Sequence, residues 1–163
     1  MAFDPDLRAT VAALLDSCRQ ARLRIVTAES CTGGLVAACL TQIAGSSDVV
    51  ERGFVTYSNE AKTELLGVSA ATLQEHGAVS SHAAKAMAAG ALAHSPADVA
   101  VAVTGIAGPG GGTPAKPVGL VYVAAQRRDH PAEIERHLFP GDRDAVRMAS
   151  VAAALDLLHR QLP

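Results

Sequence analysis

Runs of β character alternate with runs of helical spacing along this 163-residue chain, and few folds accommodate that order. Asp4-Pro5 is a helix start, a cap residue followed by Pro at the first turn. Apolar residues then recur at helical spacing: Leu7, Val11, Leu14, Leu15 and Cys18. Arg24 to Thr27 reads as a buried strand, Leu35 to Ile43 as a helix, Gly45 to Asp48 as a turn, and Val49 to Tyr57 as a strand broken by Gly53. Asn59 to Leu66 reads as a short helix ending at Gly67. Ser69 caps a helical turn through Gln74, and Ser80 or Ser81 caps an Ala-rich helix from His82 to Ala93. Asp98 to Thr104 is a strongly apolar strand, and Gly105 to Pro114 is too rich in Gly and Pro to be regular. Val118 to Ala125 and Glu133 to Phe139 read as strands joined by a polar turn, before a long helix from Asp142 to Leu162 capped by Asp142 or Asp144. The pattern predicts an α/β protein, a three-layer α/β/α sandwich on a mixed, mostly parallel sheet. No internal repeat or linker interrupts it, so one domain is expected over residues 1–163.

The composition narrows the function classes. Hydrophobic residues make up 49% of the chain, much of it Ala and Val, while aromatics make up only 3%. A core of small side chains with closely packed helices is expected, and base stacking on aromatic rings is not. With a formal net charge of −2 and no long basic run, no nucleic-acid partner is expected. The cysteines Cys18, Cys31 and Cys39 are odd in number and form no CxxC pair, which points to free thiols in a reducing compartment. The acidic amino terminus lacks an apolar signal region, and no apolar run approaches the ~20 residues of a membrane span. A soluble, cytoplasmic protein without a membrane partner is expected.

Four segments could carry chemistry. Thr27-Ala28-Glu29-Ser30-Cys31-Thr32-Gly33-Gly34 places a hydroxyl and a thiol at a strand-to-helix turn, with glycines that let a ligand approach the backbone. The N–H groups of a helix start favour negative charge there, either an oxyanion or a phosphate. Ser30 reads as a nucleophile or as a plain helix cap, and Cys31 as a rival nucleophile or, preferably, a small buried apolar residue. The segment is not a Gly-x-Ser-x-Gly elbow, because Ala28 and Thr32 stand at the glycine positions. In Gly53 to Lys62, a desolvated lysine could deprotonate a serine and a tyrosine could relay the proton; the plainer roles are a solvated Lys62 and a packed Tyr57. The loop Thr104 to Gly112 follows the most apolar strand. It is neither a Walker loop nor a Gly-x-Gly-x-x-Gly turn into a helix, yet it can present N–H groups to an anion. Arg143 and Arg147, four apart on one helix, could clamp a phosphate, keep a nearby lysine neutral, or form ordinary salt bridges. The six histidines form no recognisable ligand set, so no metal is expected.

Taken together and in this order, these segments, with Gly77-Ala78-Val79-Ser80, Pro117-Val118-Gly119 and Gly141-Asp142-Arg143, resemble the carboxy-terminal domain of the CinA family of nicotinamide-nucleotide amidases. The resemblance runs from about Leu7 to about Leu158. It implies hydrolysis of the carboxamide of nicotinamide mononucleotide to nicotinic acid mononucleotide and ammonia, in pyridine-nucleotide recycling, with no cofactor. It resembles the stand-alone form of the family. Carried over residue by residue, it implies Ser30 as nucleophile, Tyr57 and Lys62 as proton-transfer partners, and Arg143, or second Arg147, as the site arginine. Cys31, Thr32, Gly33, Gly34, Asn59, Thr104, Gly105, Gly108 and Arg147 are the expected substrate-binding residues. The chain departs from relatives at Gly110, where they often carry Asp after the proline; a loop acting through its backbone tolerates this. A nucleotide-binding sensor without chemistry and an amidase for another small amide are the alternatives. A homo-oligomer is expected, with a small-molecule nucleotide as the substrate partner.

Overall fold

A computed structural model describes residues 3–163. Its first helix, α1 (Pro5–Ala21), starts at Asp4, whose side chain accepts from the Asp6 N–H, with Pro at the first turn. The chain continues through β1 (Ile25–Glu29), α2 (Leu35–Thr41), a 3-10 turn at Ser46–Asp48 and β2 (Val50–Val55). Next come α3 (Asn59–Leu66), α4 (Ala70–His76) and α5 (Ser81–Ala93), whose starts are capped by Ser58, Ser69 and Ser80. The strands β3 (Val99–Gly105), β4 (Leu120–Arg127) and β5 (Glu133–Leu138) precede α6 (Arg143–Arg160), capped by Asp142. Among the described residues no helix is long and apolar enough to cross a membrane.

The five strands form one sheet in the order β2-β1-β3-β4-β5. β1 pairs in parallel with β2 and β3, and β4 runs antiparallel between β3 and β5, so the sheet is mixed and four strands point one way. Helices α1, α2 and α6 cover one face and α3, α4 and α5 the other, which makes the three expected layers. Strand alternation decides what each face buries. On β3, Val99, Val101 and Val103 point into the first core, and Ala100 and Ala102 into the second. The first core holds the larger side chains, including Leu14, Leu15, Leu155 and Leu158; alanines dominate the second. The expected small-residue core is therefore confined to one face.

Three boundaries differ from the sequence reading in ways that matter. β1 extends through Glu29, so Ser30 is the first residue past the strand. β2 ends at Val55, which leaves Tyr57 in the loop beyond it. The irregularity of β2 falls at Glu51, between the Ile25↔Val50 and Val26↔Arg52 pairs, and Gly53 stays in register opposite Thr27. A side chain at Gly53 would come within 2.7 Å of Thr27 Oγ1 and 3.3 Å of Ala37 Cβ, so this glycine admits α2 against the sheet and does not break the strand.

Candidate active site

From β1 the chain passes to β2 on one side and later returns to β3 on the other, so β1 is the point where the winding reverses. Open α/β sheets leave a crevice at such a point, beyond the carboxyl ends of the strands. A cavity of about 290 Å³ lies there. It is lined by Ser30 after β1, Tyr57 after β2, Thr104 and Gly105 at the end of β3, Asn59 and Lys62 from α3, and Arg143 from α6. Cys31 and Gly108 also line it, as do Ala78, Val79, Ile106, Ala107, Gly110 and Gly111.

Backbone pairing fixes Ser30 before any catalytic contact is made. Its N–H donates to the Val103 carbonyl at 3.0 Å, and the Thr56 N–H donates to the Glu29 carbonyl at 2.8 Å, which carries the parallel register past the end of β2. The Ser58 cap then starts α3 directly, and Lys62 lies in its first turn. A helical side chain leans toward the helix amino terminus, which brings the Lys62 amine back over the end of β2. Lys62 Nζ lies 2.8 Å from the Thr56 carbonyl oxygen and 3.0 Å from Ser30 Oγ. The lysine is 1% exposed, and burial holds its proton affinity below the ordinary lysine value; the nearby Cys31 acts weakly in the opposite direction. A solvated helix lysine, the plainer sequence reading, is not what the fold makes of it.

Arg143 ties two walls of the cavity together, donating through Nη1 to the Gly108 carbonyl at 2.8 Å and through Nη2 to Tyr57 Oη at 2.9 Å. Tyr57 remains 61% exposed at the mouth. Thr104 Oγ1 donates to the Ala78 carbonyl at 2.8 Å and so joins β3 to the segment before α5. Burial pushes the Cys31 thiol up to about 11, so it stays protonated at neutral pH, in keeping with the apolar reading of this residue.

Four expected binding residues lie outside the cavity lining: Thr32, Gly33, Gly34 and Arg147. Thr32 is fully buried. Gly33 and Gly34 have φ of 59° and 98°, the left-handed region that glycine enters without strain, so they shape the turn. Arg147, one helical turn past Arg143, points behind the turn; its Nε donates to the Cys31 carbonyl at 3.2 Å and its Nη2 to the Thr32 carbonyl at 3.1 Å. The start of α2 is also unavailable to an anion. The Glu29 carboxylate occupies it, accepting from the N–H groups of Gly34 at 3.1 Å, Val36 at 3.0 Å and Ala37 at 2.9 Å. The N–H groups of Cys31 and Thr32 have no backbone partner among the described residues. Sequence reasoning missed Glu29, whose signal is an acid at a strand end ahead of a helix whose cap position is a glycine. It quoted Ala78 and Val79 only within the Gly77 to Ser80 motif and gave these apolar liners no place at the site.

A serine hydroxyl on a buried lysine amine, beyond the ends of parallel strands, defines a serine–lysine site on an α/β/α sandwich. The chain belongs to the CinA family: the model of the CinA C-terminal domain matches residues 7–162. It is 53% identical over 137 residues to the nicotinamide-nucleotide amidohydrolase PncC of Escherichia coli K12, covering 84% of this chain and 83% of that protein. It is also 53% identical over 144 residues to a CinA-like protein of Citrifermentans bemidjiense, covering 88% of this chain. The chain spans 34% of the length of that relative, and about a third of the other CinA-like proteins of its kind. A competence/damage inducible protein from Agrobacterium tumefaciens has the same fold, with a TM-score of 0.96, 47% identity and coverage of 99% of this chain and 98% of that one. A CinA-superfamily protein from Escherichia coli superposes with a TM-score of 0.92 at 34% identity, covering 99% and 95% of the two chains.

Proposed function

We propose that this protein is an amidohydrolase that converts the carboxamide of nicotinamide mononucleotide to the carboxylate, releasing nicotinic acid mononucleotide and ammonia, within pyridine-nucleotide recycling. The observation that carries the reading is the 3.0 Å contact between Ser30 Oγ and the buried Lys62 amine. The kinship to the Escherichia coli amidohydrolase supports the substrate class.

In this reading neutral Lys62 takes the Ser30 proton directly as Oγ attacks the amide carbon. The Cys31 N–H, beside Ser30 on the cavity wall, receives the developing oxyanion; losing one such donor typically costs roughly 10²–10³ in rate. The C–N bond then breaks, and protonated Lys62 returns its proton to the departing nitrogen, which leaves as ammonia. Water, deprotonated by the same amine, attacks the Ser30 ester and releases the carboxylate, and the serine recovers its proton. Arg143 holds the Tyr57 hydroxyl and the Gly108 carbonyl at the mouth, where the substrate's polar end would lie.

Ammonia release from nicotinamide mononucleotide, measured on purified protein beside Ser30→Ala, tests the reading. Turnover in the parent and none in the variant is expected. Binding of the nucleotide without ammonia release would favour a sensor, and turnover only of other small amides would leave the chemistry but change the substrate.

A further inference from the structure

The turn that carries Ser30 contains two adjacent glycines in the left-handed region, the residue type least able to hold a conformation by itself. Two side chains outside the cavity hold it from opposite ends. At one end Glu29, 1% exposed, gathers the N–H groups of Gly34, Val36 and Ala37 on its two carboxylate oxygens. At the other, Arg147 straddles the Cys31 and Thr32 carbonyls with two guanidinium nitrogens. A trans peptide unit points its C=O and N–H in opposite directions. Fixing the Cys31 carbonyl therefore also fixes the Thr32 N–H. Fixing the Thr32 carbonyl fixes the Gly33 N–H, which closes the turn on the Ser30 carbonyl at 3.0 Å.

We propose that Glu29 and Arg147 are positioning residues that clamp the Ser30–Gly34 turn from its two ends. They keep Ser30 Oγ on the Lys62 amine and keep the Cys31 N–H at the cavity wall. Neither touches substrate. The proposal rests on the amidase reading above, with Ser30 as nucleophile.

The test compares the parent with Arg147→Ala by two measurements. One is kcat and KM for ammonia release from nicotinamide mononucleotide. The other is the rate at which a fluorophosphonate labels Ser30; there the Oγ–P bond forms, fluoride leaves and Lys62 takes the proton. A misplaced nucleophile or donor costs about 10²-fold. The alanine variant is therefore expected to lose about that factor in kcat and in labelling rate, with KM essentially unchanged. Methylguanidinium added to the variant should restore both rates and leave the parent unaffected. Arg147→Lys keeps the charge and the stem but has one ammonium for two carbonyls, so it should also be impaired; it decides the matter if the alanine variant does not fold. Glu29→Gln, which replaces one accepting oxygen by an NH2 group and so leaves at least one of these N–H groups facing a donor, should lower kcat in the same way. A raised KM at unchanged kcat would make Arg147 a substrate contact, and unchanged constants would make it a bystander; either overturns the clamp. A parent that labels at Ser30 but releases no ammonia defeats the amidase reading alone, and the labelling rates still decide the clamp. A parent that does neither defeats both.

Discussion

Substituting methionine for Lys62 removes an amine from a site that is 1% exposed while keeping a side chain of similar length. A neutral amine has two N–H donors and one lone pair; the ammonium has three donors and none. The amine has two neighbours here, a carbonyl at 2.8 Å and a hydroxyl at 3.0 Å, and no carboxylate pairs with it among the described residues. The neutral form, donating to Thr56 and accepting from Ser30, suits this site. Burial accordingly lowers the lysine's proton affinity below its ordinary value of 10.5. Between the folded value and 10.5 the unfolded chain binds more protons than the native one, so the parent's stability should rise with pH across that window. Below the folded value the parent carries the whole cost, about 1.4 kcal/mol for each tenfold weakening of proton binding. Methionine escapes that cost but leaves the buried Thr56 carbonyl without its donor, which costs about 1–3 kcal/mol at every pH. Urea unfolding of both proteins across a pH series checks this, and taking the difference cancels every titrating group they share. The advantage of Lys62→Met over the parent should be largest below the folded value and shrink steadily toward pH 10.5. In parallel, the parent's kcat/KM should climb with unit slope and level off at the same folded value, while the variant stays inactive throughout. A difference in stability that does not change with pH, or a rate that falls as pH rises through the window, would refute the neutral-base argument.

Other outcomes follow from the same geometry. Ser30→Ala should reduce ammonia release to background with an unchanged unfolding transition, since the Ser30 N–H bond to Val103 is retained. Cys31→Ala should keep most of the activity across neutral pH, because a thiol held up to about 11 supplies no thiolate there; a dead variant in kinetic assay would return the nucleophile to Cys31. Gly53→Ala sets a methyl 2.7 Å from Thr27 Oγ1 and should cost about 1–3 kcal/mol in chemical denaturation. Leu155→Ala, at a position 1% exposed, should cost about 2–5 kcal/mol by the same measurement.

What could be read from the sequence was what is decided over a few residues. Asp4 and Ser69 cap the helices they were expected to cap, and of the paired alternatives Ser80 and Asp142 are the caps, because a cap bonds to N–H groups two or three positions away. The grouping of Ser30, Tyr57, Lys62, Thr104 and Arg143 around one cavity was reached through the resemblance, since no local pattern brings residues 30 and 143 together. Lys62 could not be told from a solvated lysine, because its burial depends on where the first turn of α3 meets the end of β2. Arg147 shares a helix face with Arg143 in sequence, yet one turn along α6 moves its guanidinium from the cavity wall to the back of the nucleophile turn. The role of Glu29 exists only once α2 folds back onto the end of β1.

The unequal halves of the interior give the chain two different tolerances to change. Eight of the thirteen residues in the core under α3 and α5 are alanines, against three of the twenty-four in the core under α1, α2 and α6. Trimming a side chain in the alanine-rich layer removes almost nothing, whereas adding a methylene forces α5 away from the sheet and shifts the helix beside it that carries Lys62. On the opposite side the asymmetry reverses: enlargement meets leucines that can change rotamer, and truncation leaves a void. A saturation library should therefore divide by layer, with size increases purged from one and size decreases from the other. Losses of activity without loss of folding should concentrate in the layer of small residues.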